Sequence, residues 1–255
     1  MLTPLNIPKI YLIFLSLFLG WLFSLPVSAQ KQPITILASE WSPYTSETLD
    51  SGGFLTEIAV TALTKAGYQT TLEFLPWKRA LKLTKIGLST ALVGAYYSKE
   101  RSHYFSYPEY SWKTSGQFFV HKNHHYNYQK IEDLCPAKLG IYAGSSYIKE
   151  LGSIKCFEIQ TVTTIQQNIK KLLNKRIDAF IETKESVLFY LKKDFPNQIN
   201  KIVALSPAFK TNEIYIVFSK KSPNYQKIQA DFDTAIKKMQ ADGSYENILK
   251  KHGIL

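Results

Sequence analysis

The sequence contains little cysteine, methionine or histidine: two, two and five residues respectively in 255. Neither cysteine has partners at zinc-binding spacing, so a structural zinc site is not predicted. The segment "HKNHH", with His121, His124 and His125, reads as a strand end and polar loop without neighbouring carboxylates, and we predict no metal there. Nucleophile-elbow and metalloprotease helix motifs are also missing, which argues against a hydrolase.

Long apolar runs are absent after residue 29. The segment 1–29 carries one charge, Lys9, followed by an apolar run that ends in Val27-Ser28-Ala29. This layout is typical of a secretory signal peptide cleaved after Ala29. An uncleaved membrane anchor is the alternative, because the run is about long enough to span a bilayer. The small-residue ending favours cleavage, so we expect a soluble protein exported to the periplasm.

Acidic residues are outnumbered, with 20 Asp and Glu against 31 Lys and Arg, which gives a formal net charge of +11. A basic balance suits partners such as nucleic acid or anionic surfaces. Export argues against nucleic acid, and the lysines are scattered along helical faces in segments such as "KKLLNK". We interpret the charge as a solvated basic surface, which attracts anionic solutes or membranes only weakly at physiological salt.

The two cysteines, Cys135 and Cys156, each precede an apolar, strand-like run. In an oxidising compartment an even number of cysteines favours a disulfide over a reactive thiol. Closing a loop of about 20 residues stabilises the fold by roughly 3 kcal/mol in the chain-entropy model. We therefore predict a structural disulfide between them.

Strand and helix patterns alternate along the chain, which predicts an α/β fold with parallel sheets and helical crossovers. The predicted strands cover 34–39, 70–75, 90–95, 116–122, 138–144, 157–162, 177–182 and 213–220. The predicted helices cover 53–67, 76–87, 145–152, 163–176 and 185–194, with two more closing the chain.

Two alternating blocks meet at two extended strands, 116–121 and 213–219. Two strands that cross between lobes form a hinge, because small backbone rotations there can close a cleft. We expect one lobe from residues 30–118 with 216–255, and a second lobe from residues 119–215.

Several motifs, in order, resemble those of the extracellular solute-binding proteins, family 3, the bilobed type II periplasmic binding proteins that feed polar amino acid ABC importers. The resemblance covers nearly all of residues 33–253. The motifs that carry it are "SEWSPYT", "GGFLTEIAVTAL", "PWKRAL", "SKERSHYFSYPEY", "LGIYAGSSY", "RIDAFIET" and "DGSYENILKKHG".

By this resemblance Arg101 occupies the position that clamps a ligand carboxylate. A guanidinium suits this task, since its planar fork binds a carboxylate through two hydrogen bonds and stays charged when water is excluded. The alternative is a structural ion pair with Glu100 or Glu109. The resemblance also places Trp41 and Trp77 as rings that sandwich the ligand, against the alternative of core packing.

Five further residues complete the predicted site. Tyr96 lies on the loop leading to Arg101, and Ser145 and Ser146 begin a short helix, where they can hold the carboxylate or simply cap the helix. The family's ammonium-binding Asp aligns with Thr183, preceded by Glu182. Because neighbouring side chains on a strand face opposite ways, Glu182 can replace that Asp only if the strand ends or bulges there. Glu40 is another candidate acid.

The resemblance implies a monomeric binding protein for a small carboxylate-bearing solute, an amino acid or organic acid, which it delivers to an ABC permease in the inner membrane. No cofactor, metal or nucleic acid is expected. One rival function is a periplasmic enzyme on the same fold, such as a cyclic-acid dehydratase with Glu182 or Glu40 as general acid. The others are a solute-sensing module for a membrane receptor and a basic exported adhesin without a pocket.

Overall fold

A computed structural model describes residues 33–124 and 126–255. The predicted signal peptide and its cleavage point lie outside the described residues, as does His125. Within the described ranges, no helix has both the length and the apolar character needed to cross a membrane.

Ten strands and seven α-helices alternate through most of the described chain. The strands are β1 Ile34–Ala38, β2 Thr70–Phe74, β3 Ala91–Tyr96, β4 Phe105–Ser106, β5 Trp112–His121, β6 Ala137–Tyr142, β7 Phe157–Val162, β8 Ala179–Thr183, β9 Ile202–Ala204 and β10 Lys210–Ser219. The helices are α1 Phe54–Lys65, α2 Trp77–Lys85, α3 Tyr147–Gly152, α4 Ile165–Leu173, α5 Lys184–Asp194, α6 Tyr225–Ala241 and α7 Ser244–Lys251. Every strand and helix predicted from the sequence is present.

The strands lie in the order β2-β1-β3-β10-β5-β8-β6-β7, with β4 beside β10 and β9 beside β5. β1 runs parallel to β2 and β3, and β6 runs parallel to β7 and β8. β10 is antiparallel to β3 and to β5, and β5 is antiparallel to β8. Two parallel blocks are thus joined by two long antiparallel strands, which is the predicted type II periplasmic binding protein fold.

The joining strands differ from the prediction in two ways. They pair with each other between Trp112–Gly116 and Lys210–Ile214, so the hydrogen bonding continues from one block to the other instead of leaving two separate sheets. They also begin at Trp112 and Lys210, earlier than the predicted 116 and 213. Apart from Trp112 the added residues are polar, so they lack the apolar alternation that marks a strand.

The sheet core is apolar on both faces, as a covered parallel sheet requires. In β1, Ile36 packs with α1 and α6, whereas Leu37 faces α2, and both are fully buried. Gly53 starts α1 with φ +91, and a Cβ there would lie 2.8 Å from the Tyr44 carbonyl oxygen. The glycine-led start of α1 is therefore a packing requirement as well as a backbone one.

The predicted disulfide is present in the structure. Cys135 and Cys156 are bonded, with their Cα atoms 5.6 Å apart. The bond lies just before the paired start of β6 and β7, where Ala137 is opposite Phe157. It therefore fixes the edge of the second parallel block.

Candidate functional site

A cleft opens at the carboxyl ends of β1, β3 and β6. In a parallel sheet this is the end where the connecting loops and the first turns of the helices lie. The empty space inside it, including the part open to solvent, is about 590 Å³, a size that suits a small solute. The residues lining the cleft are Ser39, Glu40, Trp41, Trp77, Gly94, Tyr96, Arg101, Tyr142, Ser145, Ser146, Tyr147, Ile165, Ile181 and Glu182. Seven of the eight predicted ligand-binding residues are among them.

Arg101 is the cationic side chain of this lining. Its guanidinium donates hydrogen bonds to the carbonyl oxygens of Tyr96 and Gly144, both at 3.1 Å, and lies 5.4 Å from the Trp77 ring centroid. Burial lowers the pKa of Arg101 from its usual value, but an arginine stays protonated. Within the described part of the chain it forms no salt bridge with a carboxylate, so neither Glu100 nor Glu109 neutralises it.

Trp77 begins α2 directly after Pro76, which is the residue before the helix and not in its first turn as predicted. The indole Nε1 of Trp77 donates to the same Gly144 carbonyl oxygen at 3.1 Å. Gly144 has φ +86, and a Cβ there would lie 2.9 Å from Trp77 Cδ1. Two donors from one side of the cleft therefore converge on one acceptor from the other side.

Trp41 stands on the loop after β1, where it and Thr45 exchange backbone hydrogen bonds of 2.7 and 3.1 Å. Its ring meets Tyr96 edge-on, with the centroids 5.6 Å apart. Gly94 lies against the indole and has φ +95, a backbone conformation that favours glycine; a Cβ there would make only an ordinary contact with the ring, at 3.6 Å. The short backbone bridge and the glycine together fix the indole against the cleft floor.

Glu182 is the penultimate residue of β8 and faces the cleft. Trp41 Nε1 donates to its Oε1 at 3.1 Å. The backbone N–H of Thr183 donates to the same oxygen at 2.8 Å. Burial raises the pKa of Glu182 to about 7, against the lowering effect of these hydrogen bonds. The carboxyl group thus titrates near neutral pH inside the candidate site.

Thr183 is not among the residues lining the cleft in this structure. It is buried, and its hydroxyl accepts the Ser186 N–H at 3.4 Å as the N-cap of α5. Glu182 lines the cleft together with its neighbour Ile181, so the end of β8 does not follow strict strand alternation. β8 ends at Thr183, one residue beyond Glu182, so Glu182 lies where the strand finishes, which is the first of the two conditions set for its predicted role.

Ser145 and Ser146 both line the cleft at the start of α3. The Ser145 hydroxyl accepts the Tyr147 N–H at 3.3 Å, so part of its capacity is used locally, as in the capping alternative. Ser146 occupies the N-cap position without a side-chain cap bond. The hydroxyl of Ser146 is therefore the freer of the two to meet a ligand.

Tyr142 and Tyr147 also line the cleft, although the sequence did not single them out. Burial raises the pKa of Tyr142 to about 12 and that of Tyr147 still further, so both rings are neutral donors at physiological pH. Both belong to the quoted motif "LGIYAGSSY", and alternation along β6 was the available signal for Tyr142. Tyr147 approaches Gly116 so closely that a Cβ there would overlap its hydroxyl.

The loop after β1 also contacts α5 beside the cleft. Ser186 Oγ donates to the Ser42 carbonyl oxygen at 2.7 Å, and Tyr190 OH donates to Glu40 Oε1 at 3.2 Å. Tyr44 OH donates to Glu185 Oε2 at 3.1 Å. These contacts link the two parallel blocks, so the cleft is narrow in this structure.

The model of the bacterial extracellular solute-binding proteins, family 3, matches residues 34–254. The chain belongs to this family. As an extracellular solute-binding protein it works in the periplasm or outside the cell. No curated protein sequence matches it significantly.

The fold is shared with many solved structures. A histidine kinase sensor domain with similarity to periplasmic binding proteins aligns with a TM-score of 0.75 at 15% identity, covering 87% of this chain and 96% of that one. The amino acid ABC transporter substrate-binding protein AbpA from Streptococcus pneumoniae, bound to L-arginine, gives 0.71 at 18%, covering 87% and 94%. The GluR0 ligand-binding core from Nostoc punctiforme, with L-glutamate, gives 0.73 at 18%, covering 88% and 100%.

Proposed function

We propose that this family 3 solute-binding protein captures a small carboxylate-bearing solute in the cleft, with polar and aromatic amino acids as the first candidates. The observation that carries the proposal is Arg101, a partly buried cation that donates to two carbonyl oxygens and forms no salt bridge with an acid among the described residues. A ligand carboxylate would offer it the charge that the carbonyls lack. A charge-assisted, two-bonded contact of this kind is about twice as strong as a neutral hydrogen bond.

The remaining lining suits the rest of such a solute. Trp41, Trp77 and Tyr96 supply apolar area and ring faces for a side chain, apolar or cationic. Ser145 and Ser146 would add hydroxyl donors to the carboxylate. Glu182 would accept from an ammonium group, and its conversion to the charged form would accompany binding.

Closure would follow from the two joining strands. We propose that residues 30–118 with 216–255 form one lobe and residues 119–215 the other, and that rotation in β5 and β10 opens and closes the cleft. The Gly144 carbonyl and the Ser42–Ser186 contact would close around the ligand. The mature monomer, with its leader removed after Ala29, would then deliver the solute to an ABC permease in the inner membrane, without a cofactor.

A ligand screen by thermal unfolding at low salt tests this proposal. At 100 times its Kd, a ligand stabilises the folded state by about 2.7 kcal/mol. For a chain of this size that is a rise in Tm of roughly 5–10 °C. We expect this rise with one chemical class of small acid, and absence of any rise across amino acids and organic acids would contradict the proposal.

A sensory role is a second candidate, because a histidine kinase sensor domain shares the fold. Such a module would bind the same solute and pass the closed state to a membrane receptor. Deleting the neighbouring permease gene would abolish uptake but leave a sensory response intact. A dehydratase is tested separately, by incubating the tightest ligand with the protein and looking for loss of water from it.

A further inference from the structure

One edge of the sheet, at the opposite end of the strands from the cleft, carries a turn with two exposed apolar side chains. The turn joins α2 to β3 and holds Ile86, 50% exposed, and Leu88, 69% exposed. Most large apolar side chains in the described chain are buried, so two exposed ones separated by a single glycine stand out.

Four lysines surround this turn. Lys82 and Lys85 are in the last turn of α2, and Lys220 and Lys221 directly follow β10. The β10 strand is antiparallel to β3, with Phe218 opposite Ala91, which brings its end to this edge. The contact is close, since a Cβ on Gly87 would lie 2.7 Å from Lys221 Cβ.

The charge at this edge is not neutralised. Among the described residues none of the four lysines forms an ion pair. Lys85 lies 3.7 Å from the Tyr104 ring centroid and Lys220 donates to the Ser102 carbonyl oxygen at 2.7 Å, contacts that leave both charged. Residues 74–99 contain five lysines and arginines and no acid.

The first strand of the described chain starts at the same end of the sheet. The first strand, β1, starts at Ile34, and Thr90 N donates to the Thr35 carbonyl oxygen at 3.0 Å. The start of β1 therefore lies beside the residues that lead into β3. The described chain therefore begins at the same end of the sheet as the turn between α2 and β3.

We propose that this edge, here called the basic edge and formed by Lys82, Lys85, Ile86, Leu88, Lys220 and Lys221, contacts the surface of a membrane rich in anionic phospholipid. Exposed apolar side chains enter the boundary between head groups and acyl chains, while lysines around them attract the anionic head groups. Two apolar tips alone bind too weakly, so the lysines are required. The contact would keep the binding protein beside the membrane.

Co-sedimentation with lipid vesicles tests the proposal. The protein used is the full exported chain, purified after export by its host. The probes are vesicles of phosphatidylglycerol with phosphatidylethanolamine, compared with pure phosphatidylcholine. We expect binding to the first and not the second, with loss of binding as salt rises from 0.05 to 0.5 M, because the Debye length shrinks. Absence of sedimentation with the anionic vesicles at low salt would overturn the proposal. An acidic protein would then be the better candidate partner for this edge.

Two variants locate the contact. Lys82→Gln/Lys220→Gln/Lys221→Gln should weaken vesicle binding about 100-fold, since each lysine near an anionic surface contributes about fivefold. Ile86→Ser/Leu88→Ser should weaken it about tenfold without changing net charge. The control Lys192→Gln/Lys193→Gln/Lys250→Gln removes the same charge from exposed sites elsewhere. Equal losses in the control and the lysine variant would overturn the assignment to this edge.

Circular dichroism and thermal unfolding of each variant keep the result interpretable. All the substituted side chains are exposed, so we expect unchanged Tm values. Leu88→Trp gives an independent readout. The emission of the introduced tryptophan should shift to the blue when anionic vesicles are added and should not shift with phosphatidylcholine vesicles. An unshifted spectrum with bound protein would also overturn the proposed contact.

Discussion

Trp41 Nε1 donates a hydrogen bond to Glu182 Oε1 at 3.1 Å, joining residues that are 141 positions apart in the sequence. The bond links the loop after β1 to the end of β8, one on each side of the cleft. It also connects a ring that would cover a ligand with an acid that would meet the ligand's ammonium. Under the proposed function we therefore expect changes on either side to affect both closure and charge recognition.

The first prediction concerns pH. Because burial raises the pKa of Glu182 to about 7, the folded chain holds that proton more tightly than the unfolded chain does. The free energy of unfolding without ligand should therefore fall as pH rises from about 5 to 7, by up to about 3 kcal/mol, and then level off. Urea unfolding measures this slope. Glu182→Gln should flatten it, whereas Glu132→Gln, an exposed control, should not.

The same carboxyl group should report on the ligand. If the solute carries an ammonium group, binding favours charged Glu182, so affinity should increase from pH 6 to 8 with release of a proton. Calorimetry in buffers of different ionisation enthalpy detects that proton. A proton uptake on binding would mean that Glu182 serves as a neutral donor instead.

The second prediction concerns the shared Gly144 carbonyl. In Gly144→Ala a backbone with φ +86 is strained, and the new Cβ presses on Trp77 at 2.9 Å. We expect a loss of at least about 1 kcal/mol in stability and roughly tenfold weaker ligand binding. Gly152→Ala is the matched control, because no atom lies within 4 Å of the added Cβ. Wild-type binding by Gly144→Ala would contradict the role of this carbonyl in closure.

The third prediction separates Thr183 from the site. Thr183→Ala removes the N-cap of α5 and should cost about 1 kcal/mol in the free energy of unfolding. Thr183→Ser should restore most of it. Ligand affinity, measured by titration calorimetry well below the Tm, should change by less than about threefold in both. A large loss of affinity in the alanine variant would return Thr183 to the list of ligand contacts.

The fourth prediction concerns the disulfide between Cys135 and Cys156, which are 21 residues apart. Cys135→Ser/Cys156→Ser should lower the free energy of unfolding by about 3 kcal/mol. Because the bond lies at the edge of the second block, ligand affinity at 25 °C should be retained. Denaturation curves of the wild type with and without reductant provide the comparison, and coincident curves would contradict a stabilising role.

The sequence was sufficient for eight of the ten described strands, for the seven α-helices and for most of the cleft, because apolar periodicity marks covered strands and helices strongly. The short strands β4 and β9 were not predicted. The joining strands were predicted to be shorter than they are, because residues 112–115 and 210–212 are mostly polar and lack apolar alternation. The side that β8 presents was also missed. Alternation predicts that neighbouring side chains on β8 diverge, whereas Ile181 and Glu182 both line the cleft. Tyr147 was not predicted because its position in the cleft depends on its packing against Gly116 of β5, a contact between residues far apart in the sequence.

The measurement that tests the account most directly is titration calorimetry of the best ligand from the thermal screen with the wild type, Arg101→Ala and Arg176→Ala. Arg176 is exposed and lies outside the cleft lining, so its variant matches the change without touching the site. We predict a loss of at least 100-fold in affinity for Arg101→Ala, since charge-assisted bonds contribute about 1.5–3 kcal/mol each, and an unchanged Kd for Arg176→Ala. An Arg101→Ala protein that binds the same acid as tightly as the wild type would contradict the assignment of this cleft to a carboxylate.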